Sequence, residues 1–189
     1  MHKCKDPTLN KIDRILAGET VQPTVRDDIQ IGSYFRQSHE ILESFAVGRI
    51  GLEEYLTKKT VSEKSVLKHI DLFNTSEDLE RRAKLEPKWD DTLTKKVIAH
   101  EKAHAKVAAK YALNTLWGFY HGDGINPPCA FSYHANFVDV ARKEKWGRKK
   151  ILEVLSDICN ITDMGEDDRQ MKEIADYGLS LIHLGKIPE

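Results

Sequence analysis

The feature that most constrains the fold is a stretch from Thr92 to Trp117 that contains neither glycine nor proline. Asp90 and Asp91 stand just before it, and acidic side chains favour a helix start because they complement the helix dipole. We therefore predict one long helix over this stretch, the longest in the chain. Apolar residues along it indicate that it is buried: Val97, Ile98, Val107, Ala108 and Tyr111.

Helical spacing of apolar residues recurs on both sides of this stretch. The segments are "SYFRQSHEILESFAV", "VSEKSVLKHIDLF", "TSEDLERRAKLEP", "SYHANFVDVARKEKW", "RKKILEVLSDICNI" and "EDDRQMKEIADYGLSLIHL". No convincing strand pattern is found, beyond a short extended piece in the loop rich in glycine and proline after the long helix. We expect a mainly α fold, a single compact helical domain of about six to seven helices over residues 31–189. Residues 1–30 are expected to form an N-terminal arm, partly irregular.

Composition narrows the class of protein. The 189 residues are 40% hydrophobic and 31% charged, with a net charge of −1, so no global charge attracts nucleic acid or a membrane surface. No signal peptide or membrane span is recognisable, and we expect a cytoplasmic protein without a membrane partner. Three widely spaced cysteines suggest neither a disulfide framework nor a zinc knuckle. The oligomeric state is not indicated.

The predicted long helix carries the spacing H-E-x-x-H at His100, Glu101 and His104. Residues four apart lie on the same face of a helix, so the two imidazoles can bind one ion. Glu101 lies beside that face, where its carboxylate can act on a metal-bound water without being a ligand. The pattern predicts a Zn²⁺ site with Glu101 as the catalytic residue.

A catalytic zinc needs a third protein ligand and one open position. The sequence offers several candidates for that ligand: His121, Asp123, His134, Asp167 and Asp168. The metzincin pattern H-E-x-x-H-x-x-G-x-x-H is excluded, because Val107 and Lys110 stand where it requires glycine and histidine.

A resemblance to a known family bears on this choice. "HEKAHAKVAAKYA" resembles the zinc helix in the peptidase domain of the FtsH-type AAA proteases, and "GEDDRQMKEIADYGLS" resembles the later helix whose first aspartate is the third ligand in that family. The resemblance covers about residues 93–180, and only the H-E-x-x-H is a specific motif. It implies a mainly helical zincin in which His100, His104 and Asp167 bind zinc, with Asp168 as the neighbouring alternative.

The chain also departs from that family. Lys102 and Ala103 stand where the family usually has alanine and glycine, and its substrate-binding edge strand is not recognisable between Gly118 and Phe131. Taken together, the motif and the resemblance predict a zinc-dependent hydrolase, a metallopeptidase acting on a peptide or protein substrate.

Two alternatives stay open. In the first, His39 joins His100 and His104 in a three-histidine site like that of the DinB-type helical bundles, with no peptidase activity. In the second, "FVDVARKEKWGRKKILEVLSDI" forms a basic helix-turn-helix that binds nucleic acid or another partner. The near-neutral net charge argues against nucleic acid as a partner.

Overall fold

A computed structural model describes residues 31–67, 69–122 and 127–189; the predicted N-terminal arm, residues 1–30, lies outside them. Within the described ranges the chain forms seven α-helices and one three-stranded sheet, so the mainly α class is confirmed. The helices are α1 (Ile31–Ala46), α2 (Leu52–Val66), α3 (Ser76–Ala83), α4 (Asp91–Ala108), α5 (Phe137–Lys143), α6 (Arg148–Cys159) and α7 (Glu166–His183). The strands are β1 (Asp71–Phe73), β2 (Thr115–Tyr120) and β3 (Cys129–His134).

The predicted long helix is shorter than expected. It begins where predicted, with the Asp90 side chain accepting a hydrogen bond from the backbone N–H of Leu93 at 2.7 Å. It ends at Ala108, and one 3₁₀ turn follows before Ala112, whose φ of 56° is left-handed and stops the helix. The next residues form β2. Its sequence, "TLWGFY", is rich in the aromatic and β-branched residues that favour strands.

The sheet itself contradicts the prediction of at most one short extended piece. Its order is β1-β2-β3 with both pairs antiparallel, and Gly118 in β2 lies opposite Leu72 on one side and Phe131 on the other. In β2 every residue after Thr115 is buried. A strand covered on both faces shows no alternation of polar and apolar residues, which is why its pattern was not recognised.

Apolar layers lie on both faces of the sheet. On one face, Leu116 and Tyr120 belong to a cluster with Val66 and Leu67 at the end of α2. On the other face, Trp117 and Phe119 pack with apolar residues of α3 and α4: Leu79, Ala83 and Ile98. A third cluster joins α1, α2, α6 and α7. The sheet therefore fixes α4 relative to the helical part of the fold.

Helix α7 packs closely against α6 and α1 at Gly178, which is buried. A Cβ at this position would lie 2.8 Å from Leu152 Cδ1, 2.9 Å from Ala46 Cβ and 3.0 Å from the Ala46 carbonyl oxygen. Because one of these neighbours is backbone, the contact cannot be relieved by turning a side chain. None of the helices in the described ranges is long and apolar enough to cross a lipid bilayer.

We expect Gly178→Ala to lower the free energy of unfolding by about 1–3 kcal/mol, because overpacking outweighs the better helix propensity of alanine. The measurement is urea denaturation followed by circular dichroism. Ser180→Ala, at an exposed position of the same helix, is the matched control and should leave stability nearly unchanged. Equal stability of the two variants would contradict the close packing of α7.

Candidate metal centre

His100, Glu101 and His104 lie in the second half of α4, on the side that meets β3 and α6. Glu101 and His104 are buried, whereas His100 is partly exposed. The Nε2 atoms of the two histidines are 3.1 Å apart. The helix therefore presents two imidazole nitrogens to one point.

Asp168 lies at the same point, at the beginning of α7. Its Oδ2 is 3.1 Å from His100 Nε2, and its Oδ1 is 3.3 Å from His104 Nε2. Oδ2 also accepts a hydrogen bond from the backbone N–H of Gly165 at 3.0 Å, which caps the helix and orients the carboxylate. Among the described residues, His100, His104 and Asp168 are the group of His, Cys, Asp and Glu side chains close enough to hold a metal ion.

The second nitrogen of His104 fixes the orientation of its ring. His104 Nδ1 donates a hydrogen bond to the Ile158 carbonyl at 2.7 Å, in the last turn of α6. In the neutral ring this places the lone pair on Nε2, which then faces the Asp168 carboxylate, another acceptor. Two acceptors 3.3 Å apart repel each other unless a proton or a cation lies between them.

The nitrogen and oxygen atoms of this group are spaced like the ligands of a small cation. In a tetrahedral site with metal–ligand distances of about 2.0–2.1 Å, ligand atoms are separated by about 3.3 Å. The two Nε2 atoms are 3.1 Å apart, and each has one Asp168 oxygen at a similar distance, Oδ2 at 3.1 Å from His100 and Oδ1 at 3.3 Å from His104. The geometry of the His100, His104 and Asp168 group therefore fits a metal ion.

Hydrogen bonds among His100, His104 and Asp168 favour the charged forms of these side chains. Burial alone would raise the pKa of Asp168, but the hydrogen bonds from His100 and His104 hold it well below its usual value. The hydrogen bond to Asp168 raises the pKa of His100. For His104, burial lowers the pKa, and the hydrogen bond and charge of Asp168 more than compensate, so the net shift is upward. A metal ion at this point would have to displace these protons.

Glu101 stands beside the group without belonging to it. Its Oε1 is 4.0 Å from His100 Nε2, and its Oε2 accepts a hydrogen bond from the backbone N–H of Ser132 in β3 at 2.6 Å. Burial raises its pKa, and the neighbouring histidines only partly offset that shift. The sheet thus holds the carboxylate in a fixed direction next to the group.

The other sequence candidates lie elsewhere. Asp167, the ligand implied by the family resemblance, lines the same cavity but is not part of the group, and burial raises its pKa. His121 is instead hydrogen-bonded to Asp71 at 2.6 Å. His134 is deeply placed in the cavity wall, where burial lowers its pKa to about 3. Asp123 lies outside the described residues.

The structure bears on both alternative predictions, the three-histidine site with His39 and the basic helix-turn-helix. His39 is not part of the group, and its buried Nε2 has no hydrogen-bond partner among the described residues. The basic segment forms two helices, α5 and α6, but several of its cations are already in ion pairs. These are Arg142 with Glu53, Lys149 with Glu189 and Lys150 with Glu153.

The group opens into a cavity of about 330 Å³ between α1, α2, β3, α6 and α7. Apolar and aromatic side chains form much of its wall, with Cys129 and Cys159 among them. Burial raises the pKa of both thiols to about 12, so neither is a thiolate near neutral pH. The hydrogen bonds of the Ser132 N–H and the Ile158 carbonyl were not predicted, because both are backbone groups and side-chain patterns in a sequence do not indicate them.

The chain matches no protein-family model, no curated protein and no solved structure.

We expect the wild-type protein to bind one divalent transition-metal ion per chain, and His104→Ala and Asp168→Ala to lose it. Each substitution removes one of three ligands. Asp167→Ala is the matched control, because it removes the neighbouring carboxylate and should leave the metal content unchanged. The measurement is elemental analysis after dialysis against Zn²⁺ and removal of the excess. Loss of metal in Asp167→Ala with retention in Asp168→Ala would contradict this assignment.

Metal affinity should fall as the pH is lowered. Protons compete with the ion for the imidazoles, and Asp168 raises the pKa of both histidines in the metal-free protein. The loss of affinity should therefore begin at a higher pH than for histidines of ordinary pKa, about 6.5. Titration of the metal-free protein with Co²⁺ at a series of pH values measures it. An affinity that stays constant from pH 8 to pH 5.5 would exclude a histidine-bound ion.

Proposed function

We propose that this protein is a zinc-dependent hydrolase, a metallopeptidase in which His100, His104 and Asp168 hold the ion and Glu101 is the general base. One observation carries the proposal: Nε2 of each histidine and the Asp168 carboxylate converge at separations of 3.1–3.3 Å. The H-E-x-x-H spacing supports the same chemistry from the sequence. Asp168 replaces Asp167 as the third ligand because its oxygens face both rings.

The donor set supports zinc over harder cations. Two imidazole nitrogens and one carboxylate oxygen are the ligand types that Zn²⁺ accepts in catalytic sites, whereas Mg²⁺ and Ca²⁺ favour oxygen ligands throughout. Three protein ligands leave a fourth position open. When bound, zinc supplies a water of lowered pKa and polarises a carbonyl group.

Glu101 has the position that a general base requires. The Ser132 amide holds Oε2, which leaves Oε1 on the side of His100 to accept a proton. Burial raises the pKa of this carboxyl group, and a base of raised pKa accepts a proton more readily near neutral pH. Glu101 would then pass that proton to the leaving amine.

A peptide substrate is favoured by the position of β3. Among the described residues β3 pairs with β2 alone, so its other edge is not part of the sheet. The Ser132 N–H points from that edge toward Glu101, which places the edge next to the candidate site. The backbone groups of this edge other than the Ser132 N–H, which Glu101 already occupies, would bind an extended peptide by adding a strand. The resemblance of the H-E-x-x-H segment to the FtsH-type peptidase domain supports the same substrate class.

We expect Glu101→Gln to keep zinc and to lower the rate of peptide hydrolysis by about 10²–10⁴-fold, because an amide accepts the Ser132 hydrogen bond but not a proton. The measurement is cleavage of a peptide library, followed by mass spectrometry, together with zinc content. Glu153→Gln, at a partly exposed position of α6, is the control. Full activity in Glu101→Gln, or in wild-type protein stripped of metal, would contradict the proposal.

A further inference from the structure

A partly buried ion pair lines the same cavity as the candidate metal group formed by His100, His104 and Asp168. Lys59 and Glu63 occupy successive turns of α2 and are hydrogen-bonded to each other, with side chains only 22% and 11% exposed. Burial alone would lower the pKa of Lys59, but the charge of Glu63 raises it, so the side chain remains an ammonium. Lys59 Nζ also lies 5.1 Å from the centroid of the Phe137 ring.

The ion pair and the candidate metal group line the same cavity. Both line the cavity of about 330 Å³, with Lys59 and Glu63 from α2 and the metal group from α4 and α7. His134 and Cys159 line the same cavity between them. A single small molecule or peptide end can therefore contact both groups.

Lys59 has more N–H donors than the described part of the chain accepts. An ammonium has three N–H donors, and Glu63 is the one acceptor that the described part of the chain provides for Lys59. Both oxygens of Glu63 are already in contact, Oε1 with Lys59 and Oε2 with the Tyr133 hydroxyl at 3.4 Å. A complementary ligand is thus an acceptor, and a carboxylate makes stronger hydrogen bonds to a partly buried ammonium than a neutral acceptor does.

We propose that Lys59 binds a carboxylate of the peptide substrate while the scissile bond lies at the His100, His104 and Asp168 group. This assignment rests on the proposed hydrolase function and adds the substrate class to it: peptides with a carboxylate a short distance from the cleaved bond. Glu63 neutralises Lys59 when no substrate is bound and competes with the substrate carboxylate for it.

The two partners therefore have opposite effects on binding. Removing the ammonium removes the attraction for the ligand carboxylate. Removing the charge of Glu63 removes the competitor and leaves Lys59 to be paired by the ligand. A purely structural ion pair would show no such opposition, since loss of either partner would harm binding in the same way.

The test uses alkyl hydroxamates of two to four methylene groups, which bind zinc at one end and carry either a carboxylate or a carboxamide at the other. We expect zinc-loaded wild-type protein to bind the best acid about tenfold more tightly than its amide, the margin of one charge-assisted hydrogen bond. Isothermal titration calorimetry measures both dissociation constants. The ratio of acid to amide affinity is the readout.

Lys59→Met should abolish the preference for the acid and leave amide binding and zinc content unchanged. Glu63→Gln should keep or increase the preference. Lys58→Met is the matched control, because this neighbouring lysine is 49% exposed and pairs with Glu54 at the surface. Circular dichroism of all variants establishes folding, and the comparison of acid with amide on the wild type needs no variant at all.

Equal affinity of acid and amide for the zinc-loaded wild type would overturn the Lys59 assignment and leave the metal centre standing. A parallel loss of the preference in Lys59→Met and Glu63→Gln would also overturn it. Failure of both hydroxamates to bind would overturn the proposed function and this inference together. Peptides with a free or amidated C-terminus, and with Glu or Gln near the cleaved bond, then distinguish a terminal carboxylate from a side-chain carboxylate.

Discussion

The Asp168 carboxylate between the His100 and His104 rings joins the beginning of α7 to the middle of α4, and much of the structure holds that contact in place. A carboxylate in a partly buried position is costly unless it is paired and hydrogen-bonded. Here the two rings and the Gly165 N–H supply those partners. The cost of leaving any of them unpaired makes the relative position of the two helices specific.

Each side of this contact has its own support. On the α4 side, the Ile158 carbonyl at the end of α6 orients His104. On the α7 side, the close approach of Gly178 to Ala46 and Leu152 fixes the helix against α1 and α6. Because α6 contributes to both supports, a small shift of this helix would move His104 and Asp168 together. This arrangement is what a preorganised ligand set requires.

Prediction from the sequence succeeded where the signal is local. Helical spacing places His100 and His104 on one face, and it predicts the helix that begins at Asp91. The predicted end of that helix was wrong. No glycine or proline precedes Ala112, and nothing in the sequence marks the left-handed backbone conformation of this alanine. Local sequence likewise cannot decide whether Asp167 or Asp168 faces the two histidines. Neighbouring helical residues point about 100° apart, and only the docking of α7 decides which carboxylate faces the rings.

The missed sheet has consequences for the chemistry. Without β3, Glu101 would lack the Ser132 hydrogen bond, and a buried carboxylate with no donor would be expected to turn away or to stay protonated. The same strand places Tyr133 beside Glu63, so it connects the candidate metal group with the Lys59–Glu63 ion pair in the same cavity. The H-E-x-x-H helix carries the two histidines and Glu101, but Glu101 is directed by backbone that only the folded hairpin provides. A helix of the same sequence transferred to an all-helical bundle would keep the two histidines on one face and lose the fixed direction of Glu101, on which the proposed hydrolysis depends.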